Sequence, residues 1–304
     1  MTVVSAEAPG VLSRVPSLVG ARLVTPLPGG LTNQNFKVVT DSGCYVARIW
    51  TGDGAVLGID REHEYRNSVL AAQAGVGAPV IEFRPEDQVL VLGFIEGRTL
   101  ADADVADAAM IPRIAAACRA LHSAGRFAGD FDMFEIQPRY YATATGAGMR
   151  VPAGYAELLP AFEAARRALA VRDEGTVPCN NDLLAANFID DGTRLWLIDY
   201  EYSGNNDACF ELGNVAAESG LGHDALAALV TAYYGRPRRS RIARAELFGL
   251  VARYGWTLWG AIQHARSELD FDFWSWAMEK YEVAAAAFTS PAYARLLDEV
   301  QDED

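Results

Sequence analysis

Asn180-Asn181-Asp182-Leu183-Leu184-Ala185-Ala186-Asn187-Phe188-Ile189, followed by Leu195-Trp196-Leu197-Ile198-Asp199, is the stretch on which the reading of this chain turns. Its two apolar runs flank an Asp191-Gly192 turn and predict a β-hairpin. Asp182 and Asn187 stand on an irregular segment just before the hairpin, and Asp199 ends its second strand. The turn brings an acid, an amide and a second acid towards one point, with no basic partner close in sequence. Such a set suits phosphoryl transfer: one carboxylate orients an acceptor hydroxyl while Asn and Asp hold Mg²⁺ beneath ATP.

Composition narrows the class. At 304 residues, 51% hydrophobic and 22% charged, the chain can build one large or two modest cores. It has no apolar run near 18 residues, so no membrane span is expected. No basic-then-apolar leader pattern opens it, and a cytoplasmic location is expected. Cys44, Cys118, Cys179 and Cys209 are scattered without a Cys-x-x-Cys, which predicts buried thiols rather than a disulfide framework or a zinc site. A net charge of −14 argues against nucleic acid, whose phosphates need Lys and Arg, and accords with a cationic substrate.

Working outward from the hairpin, residues 21–94 are strand-like, and residues 1–20 carry little pattern. Residues 22–27, 35–40 and 45–50 are rich in β-branched and aromatic side chains. A helix is expected from Asp60, its N-cap, to Gly75, with two more strands at 80–83 and 88–94. Between the first two strands lies Pro28-Gly29-Gly30-Leu31-Thr32-Asn33-Gln34-Asn35, where adjacent glycines let the backbone approach a phosphate and Thr32, Asn33 and Asn35 add polar groups. Beyond residue 97 the text turns helical, with segments near 101–123 and 155–172. His122, ending the first of these, reads as a structural helix-end residue.

Asp182-x4-Asn187, then Asp199 twelve residues later, resembles the catalytic and metal loops of the protein-kinase-like fold. The wording Asn-Asp-Leu-Leu-x-x-Asn-Phe…Leu-Trp-Leu-Ile-Asp-Tyr-Glu-Tyr resembles the choline/ethanolamine kinase family, as does Gly-Gly-Leu-Thr-Asn. The resemblance covers residues 27–281. It implies an α+β, two-lobed fold: a nucleotide-binding lobe over residues 1–96, an antiparallel sheet with one helix, and a mainly helical catalytic and substrate-binding lobe over 97–304. It further implies ATP and Mg²⁺ as cofactors, with Asp182 catalytic and Asn187 and Asp199 on the metal. Gly29, Gly30, Thr32, Asn33 and Asn35 would cradle phosphates. Arg48 would bind them from the third strand, paired with Glu64 on the following helix, while Glu62 points to another face. Phe94 and Glu96 mark the hinge that holds adenine. One departure stands out: Asn180 replaces the family His two residues before the catalytic Asp, keeping hydrogen-bonding capacity without the ring.

The acceptor side rests on Trp256, Trp259 and Gln263, which share one helix face at i, i+3 and i+7, followed by Phe271, Phe273 and Trp276. Clustered aromatic faces attract a quaternary ammonium by roughly 0.5–2 kcal/mol per contact. By the resemblance, Tyr202 and Glu218 line the same pocket; Asp270 or Asp272 is an alternative source of negative charge. Asp207 and Glu211 would hold the loop. The expected acceptor is a small cationic alcohol, choline first. Ethanolamine, thiamine or an aminoglycoside is the alternative, and a non-catalytic sensor of amine or nucleotide a further one. Oligomeric state is not legible.

Overall fold

The computed structural model describes the backbone of Val3–Val4 together with residues 9–50 and 54–303. Strand β1 (Val3–Val4) runs parallel to β2 (Leu23–Leu27), which continues antiparallel through β3 (Asn33–Val39) and β4 (Cys44–Trp50). Helix α1 (Arg61–Gln73) follows, then β5 (Val80–Arg84) and β6 (Val89–Gly93), giving the sheet order β1-β2-β3-β4-β6-β5. Asp60 caps α1 by accepting from the N–H groups of Glu62 and His63, and Gly75, at a φ of 77°, ends it. The period-2 alternation of β4 decides the sheet's two faces. Ala47 and Ile49 join Phe36, Val38, Val89 and Val91 in one core, while Val46 and Arg48 face the opposite way, into a cleft. The patternless N-terminal stretch supplies β1 and two short 3₁₀ turns; Leu12 and Leu18 in those turns, with Val15 between them, cover the core face of the sheet.

The rest of the chain is mainly helical, interrupted by short strands. In order come β7 (Arg98–Thr99), α2 (Asp102–Val105), α3 (Ile111–His122), α4 (Met133–Gly146) and α5 (Leu159–Ala170). β8 (Val177–Cys179), β9 (Phe188–Asp190), β10 (Leu195–Leu197) and β11 (Gly204–Asn206) follow. Helices α6 (Ala208–Glu218), α7 (His223–Tyr234), α8 (Arg239–Arg266), α9 (Phe273–Phe288) and α10 (Pro291–Glu299) complete the chain. The helix expected near 101–123 is two, because Asp107 forms a turn onto the N–H of Ala109 and Pro112 sits in the first turn of α3. Likewise residues 155–172 begin as a 3₁₀ turn and become α5 with Pro160 in its first turn. No helix among the described residues is long and apolar enough to cross a membrane.

Two placements matter for the site. α6 crosses α8 so closely that a Cβ on Gly213 would lie 2.1 Å from the carbonyl oxygen of Ala245, so glycine is required there. Near this crossing Glu218, at the end of α6, and Trp256, on α8, line one cavity. The β9–β10 hairpin is docked by Leu197 N–H donating to the Val76 carbonyl just after α1 (2.8 Å), so the segment carrying Asp199 is tied to the sheet-bearing part of the molecule.

Candidate active site

The loop from Asn180 to Asn187 lies between β8 and β9, and its shape is held by buried polar groups. Glu211 on α6 accepts from the backbone N–H groups of Asn180 (2.9 Å) and Asn181 (2.7 Å). Asn181 takes a φ of 67°, a left-handed conformation that Asn tolerates, and its amide donates to the Tyr202 carbonyl. Asn180 donates from Nδ2 to the carbonyls of Ile198 (3.1 Å) and Asp199 (2.8 Å), and its Oδ1 accepts from the N–H of Asp182 (3.1 Å). One amide therefore staples the Asp182 loop to the Asp199 strand end. Ile198 N–H donating to the Asn187 carbonyl closes the same joint from the other side. Asp207 caps α6 and pairs with Arg244, while His122 at the end of α3 meets Tyr233 OH through Nδ1. His122, Cys179 and Glu211 form a buried group of ligating atoms, but the Glu211 carboxylate is already engaged by the loop N–H groups.

Two cavities meet at this loop. The larger, about 320 Å³, has apolar walls from Leu27, Val46, Ala78, Leu90, Leu92 and Ile189, and a polar end at Gly29, Gly30, Asn35, Arg48, Glu64, Asn187 and Asp199. Phe94, Ile95 and Gly97 line its rim; the Glu96 side chain is exposed and pairs with Lys37 instead. Arg48 is buried, with Nη1 2.8 Å from Glu64 Oε1 and 2.7 Å from Asp199 Oδ1. Burial opposes its charge, but Asp199, Glu64 and Glu201 outweigh that and push its pKa up. Glu62 pairs with Arg66 on the exposed face of α1.

The smaller cavity, about 80 Å³, is walled by Trp256, Trp259, Trp276, Tyr202, Leu31 and Leu184, with Asp182, Glu201 and Glu218 among its polar groups. Gly29, Ala186, Asn187 and Asp199 border both cavities. Trp259 Nε1 donates to Tyr202 OH (2.6 Å), Trp256 Nε1 donates to Asn214 Oδ1 (3.3 Å), and the Trp259 and Trp276 rings lie 5.3 Å apart at 60°. Asp182 is half-buried here, and removal from bulk water, then the charges of Glu218, Asp199 and Glu201, raise its pKa well above the usual carboxylate range.

Several expected residues stand elsewhere. Phe271 is 42% exposed and stacks edge-on against Phe273, which is buried behind Trp259; neither lines the small cavity. Asp272 caps α9 and is likewise outside it. Thr32 and Asn33 donate to Glu201 (2.7 and 2.8 Å), and Thr32 borders the small cavity rather than the large one. Glu201 is a residue that sequence reasoning missed. It also meets Arg61, and burial, followed by Asp199 and Glu64, raises its pKa to about 7. Its signal was its position two residues after Asp199 and between two tyrosines. Lys280 was missed too: it pairs with Glu218 and lies over the Trp276 ring.

Comparison with known proteins places this geometry. Residues 23–244 match the model of the phosphotransferase enzyme family. A choline/ethanolamine kinase family protein from Mesorhizobium loti is 30% identical with a TM-score of 0.83, over 95% of this chain and 96% of that one. Choline kinase LicA from Streptococcus pneumoniae is 26% identical with a TM-score of 0.79, over 91% and 97% of the two chains. Protein LicA from Haemophilus influenzae is 24% identical, over 84% of this chain and 77% of its own length.

Proposed function

The chain belongs to the phosphotransferase enzyme family, in its choline/ethanolamine kinase branch, and from that premise we propose that it moves the γ-phosphoryl group of ATP to the hydroxyl of a small amino alcohol, with choline as first acceptor. The observation that carries this reading is the junction of the two cavities. The large one offers an apolar slot for adenine and a polar end for phosphates. The small one offers a carboxylate within an aromatic enclosure, and Asn187 and Asp199 border both.

The roles follow from the chemistry of each side chain. Gly29 and Gly30 let backbone N–H groups approach the phosphates, and Arg48, aimed by Glu64, binds their oxygens through its fork. Asn187 and Asp199 present the oxygen donors Mg²⁺ prefers, so the residues fit that ion, which when bound would neutralise charge on the phosphate oxygens. Asp182 orients the acceptor hydroxyl and takes its proton as the new O–P bond forms and ADP leaves. Trp256, Trp259, Trp276 and Tyr202 enclose the ammonium group, with Glu218 adding charge. Four aromatic side chains around the small cavity suit a single small cation better than a polycationic aminoglycoside, which is held chiefly by acidic side chains.

Replacing Asp182 tests the mechanism. Asp182→Ala is expected to lower choline-dependent ADP release by about 10²–10⁴-fold. Its melting temperature should hold, because like charges crowd the carboxylate. ADP release undiminished in a folded variant contradicts the assignment.

A further inference from the structure

The acceptor pocket has a second layer. Glu218 on α6 does not face the cavity with a free carboxylate, since Lys280 Nζ donates to its Oε2 at 2.5 Å. The same ammonium lies 4.1 Å from the centroid of the Trp276 ring. Trp276 and Lys280 are four residues apart on α9, so one turn of helix presents both to the same place. Both members of the pair are almost wholly buried, with side chains 7% and 4% exposed. The cavity is lined by Glu218 and Trp276, and Lys280 stands behind these two walls.

The composition adds an independent observation. Of the 26 basic residues only Lys37 and Lys280 are lysines; the other 24 are arginines. In a chain that uses arginine almost everywhere for positive charge, one of two lysines is buried beside the acceptor cavity. A compact ammonium can meet a carboxylate and an indole face together, where a planar guanidinium needs more room.

We propose that Lys280 is the positioning residue that sets the charge specificity of the acceptor pocket: its ion pair fixes the Glu218 carboxylate at the cavity wall and its ammonium braces Trp276, so that the pocket selects a cationic alcohol over an uncharged one of the same shape. The inference rests on the small cavity being the acceptor site. Without Lys280, a buried carboxylate loses its close counter-charge on α9 and faces Asp182, with Arg253 of α8 also nearby. A carboxylate left beside another acid without that partner is not held at the cavity wall, because burial and the neighbouring charge both disfavour it there. The pocket then keeps its aromatic walls but loses the charge that distinguishes an ammonium from a neutral tert-butyl group.

The test compares two ligands in the full-length protein with Mg²⁺-ATP. One is choline; the other is its uncharged isostere, in which carbon replaces the quaternary nitrogen, used as a competitive inhibitor. In Lys280→Met the choline KM should rise about tenfold at neutral pH, the size of losing one charge-assisted contact, while the inhibition constant of the isostere stays within about twofold. The double variant Glu218→Gln/Lys280→Met removes both charges, avoids a lone buried carboxylate, and should show an equal loss of discrimination. If Lys280→Met does not fold, the double variant alone decides, by whether its preference for choline over the isostere is lost. Equal weakening of both ligands, or an unchanged preference, overturns the proposal and makes Lys280 a packing residue. Absence of choline turnover in the wild type overturns the acceptor reading itself, and this inference with it.

Discussion

Asp182 shares its surroundings with Glu218, Asp199 and Glu201, and each of them opposes its ionisation. Its raised pKa has a kinetic consequence whose sign is fixed. Proton acceptance needs the ionised form, so kcat/KM rises with pH through a limb displaced above the ordinary aspartate range. Glu218→Gln removes the largest charge effect on Asp182 and should move that limb to lower pH. A profile of kcat/KM against pH for both proteins reads this, and an unmoved limb contradicts the coupling. At the same scale, Asn180 explains how the loop is built without the family His. Its one amide reaches Ile198, Asp199 and the N–H of Asp182. A retained hydrogen bond was expected at Asn180; that it joins the Asp182 loop to the segment carrying Asp199 depends on two stretches the sequence pattern does not bring together.

Among elements, α8 was legible to an unusual degree. The i, i+3, i+7 pattern of Trp256, Trp259 and Gln263 does form one buried face, and Gln263 reaches across to the Leu31 carbonyl (3.3 Å) of the glycine loop. Legibility stopped where the helix stopped. Helical periodicity says nothing about residues 267–272, and the turn there carries Phe271 outward while α9 buries Phe273 behind Trp259. Trp259→Ala should therefore raise the choline KM by roughly 2- to 30-fold, the range of a cation–π contact of about 0.5–2 kcal/mol. Phe271→Ala should leave it within about twofold. Choline saturation curves for the two variants check this, and a large effect of Phe271→Ala contradicts the placement. The α3 and α5 boundaries failed for a related reason: apolar periodicity ran through residues 101–123 and 155–172, but Pro112 and Pro160 stand in the first turns of α3 and α5, where a missing N–H costs no intrahelical bond.

Across the whole molecule, the two cavities share Gly29, Ala186, Asn187 and Asp199, and the glycine loop is moored to the far side by Glu201. The residues legible from sequence alone were those with fixed spacing inside one segment: Asp182, Asn187 and Asp199, and the Arg48–Glu64 pair that the β4-to-α1 order brings together. Glu201 and Lys280 were not, because the groups they hydrogen-bond lie in other elements. Glu201 acts on residues 168 and 169 positions away, and Lys280 on one 62 away. Local pattern carries no information about such pairs. If the junction of the two cavities transfers a phosphoryl group from ATP to a cationic alcohol, phosphorus NMR of the protein with Mg²⁺-ATP and choline will show an ADP spectrum accompanied by a phosphomonoester on the choline oxygen, both lost in Asp182→Ala. Choline binding detected by thermal stabilisation, with the ATP resonances unchanged, would contradict it.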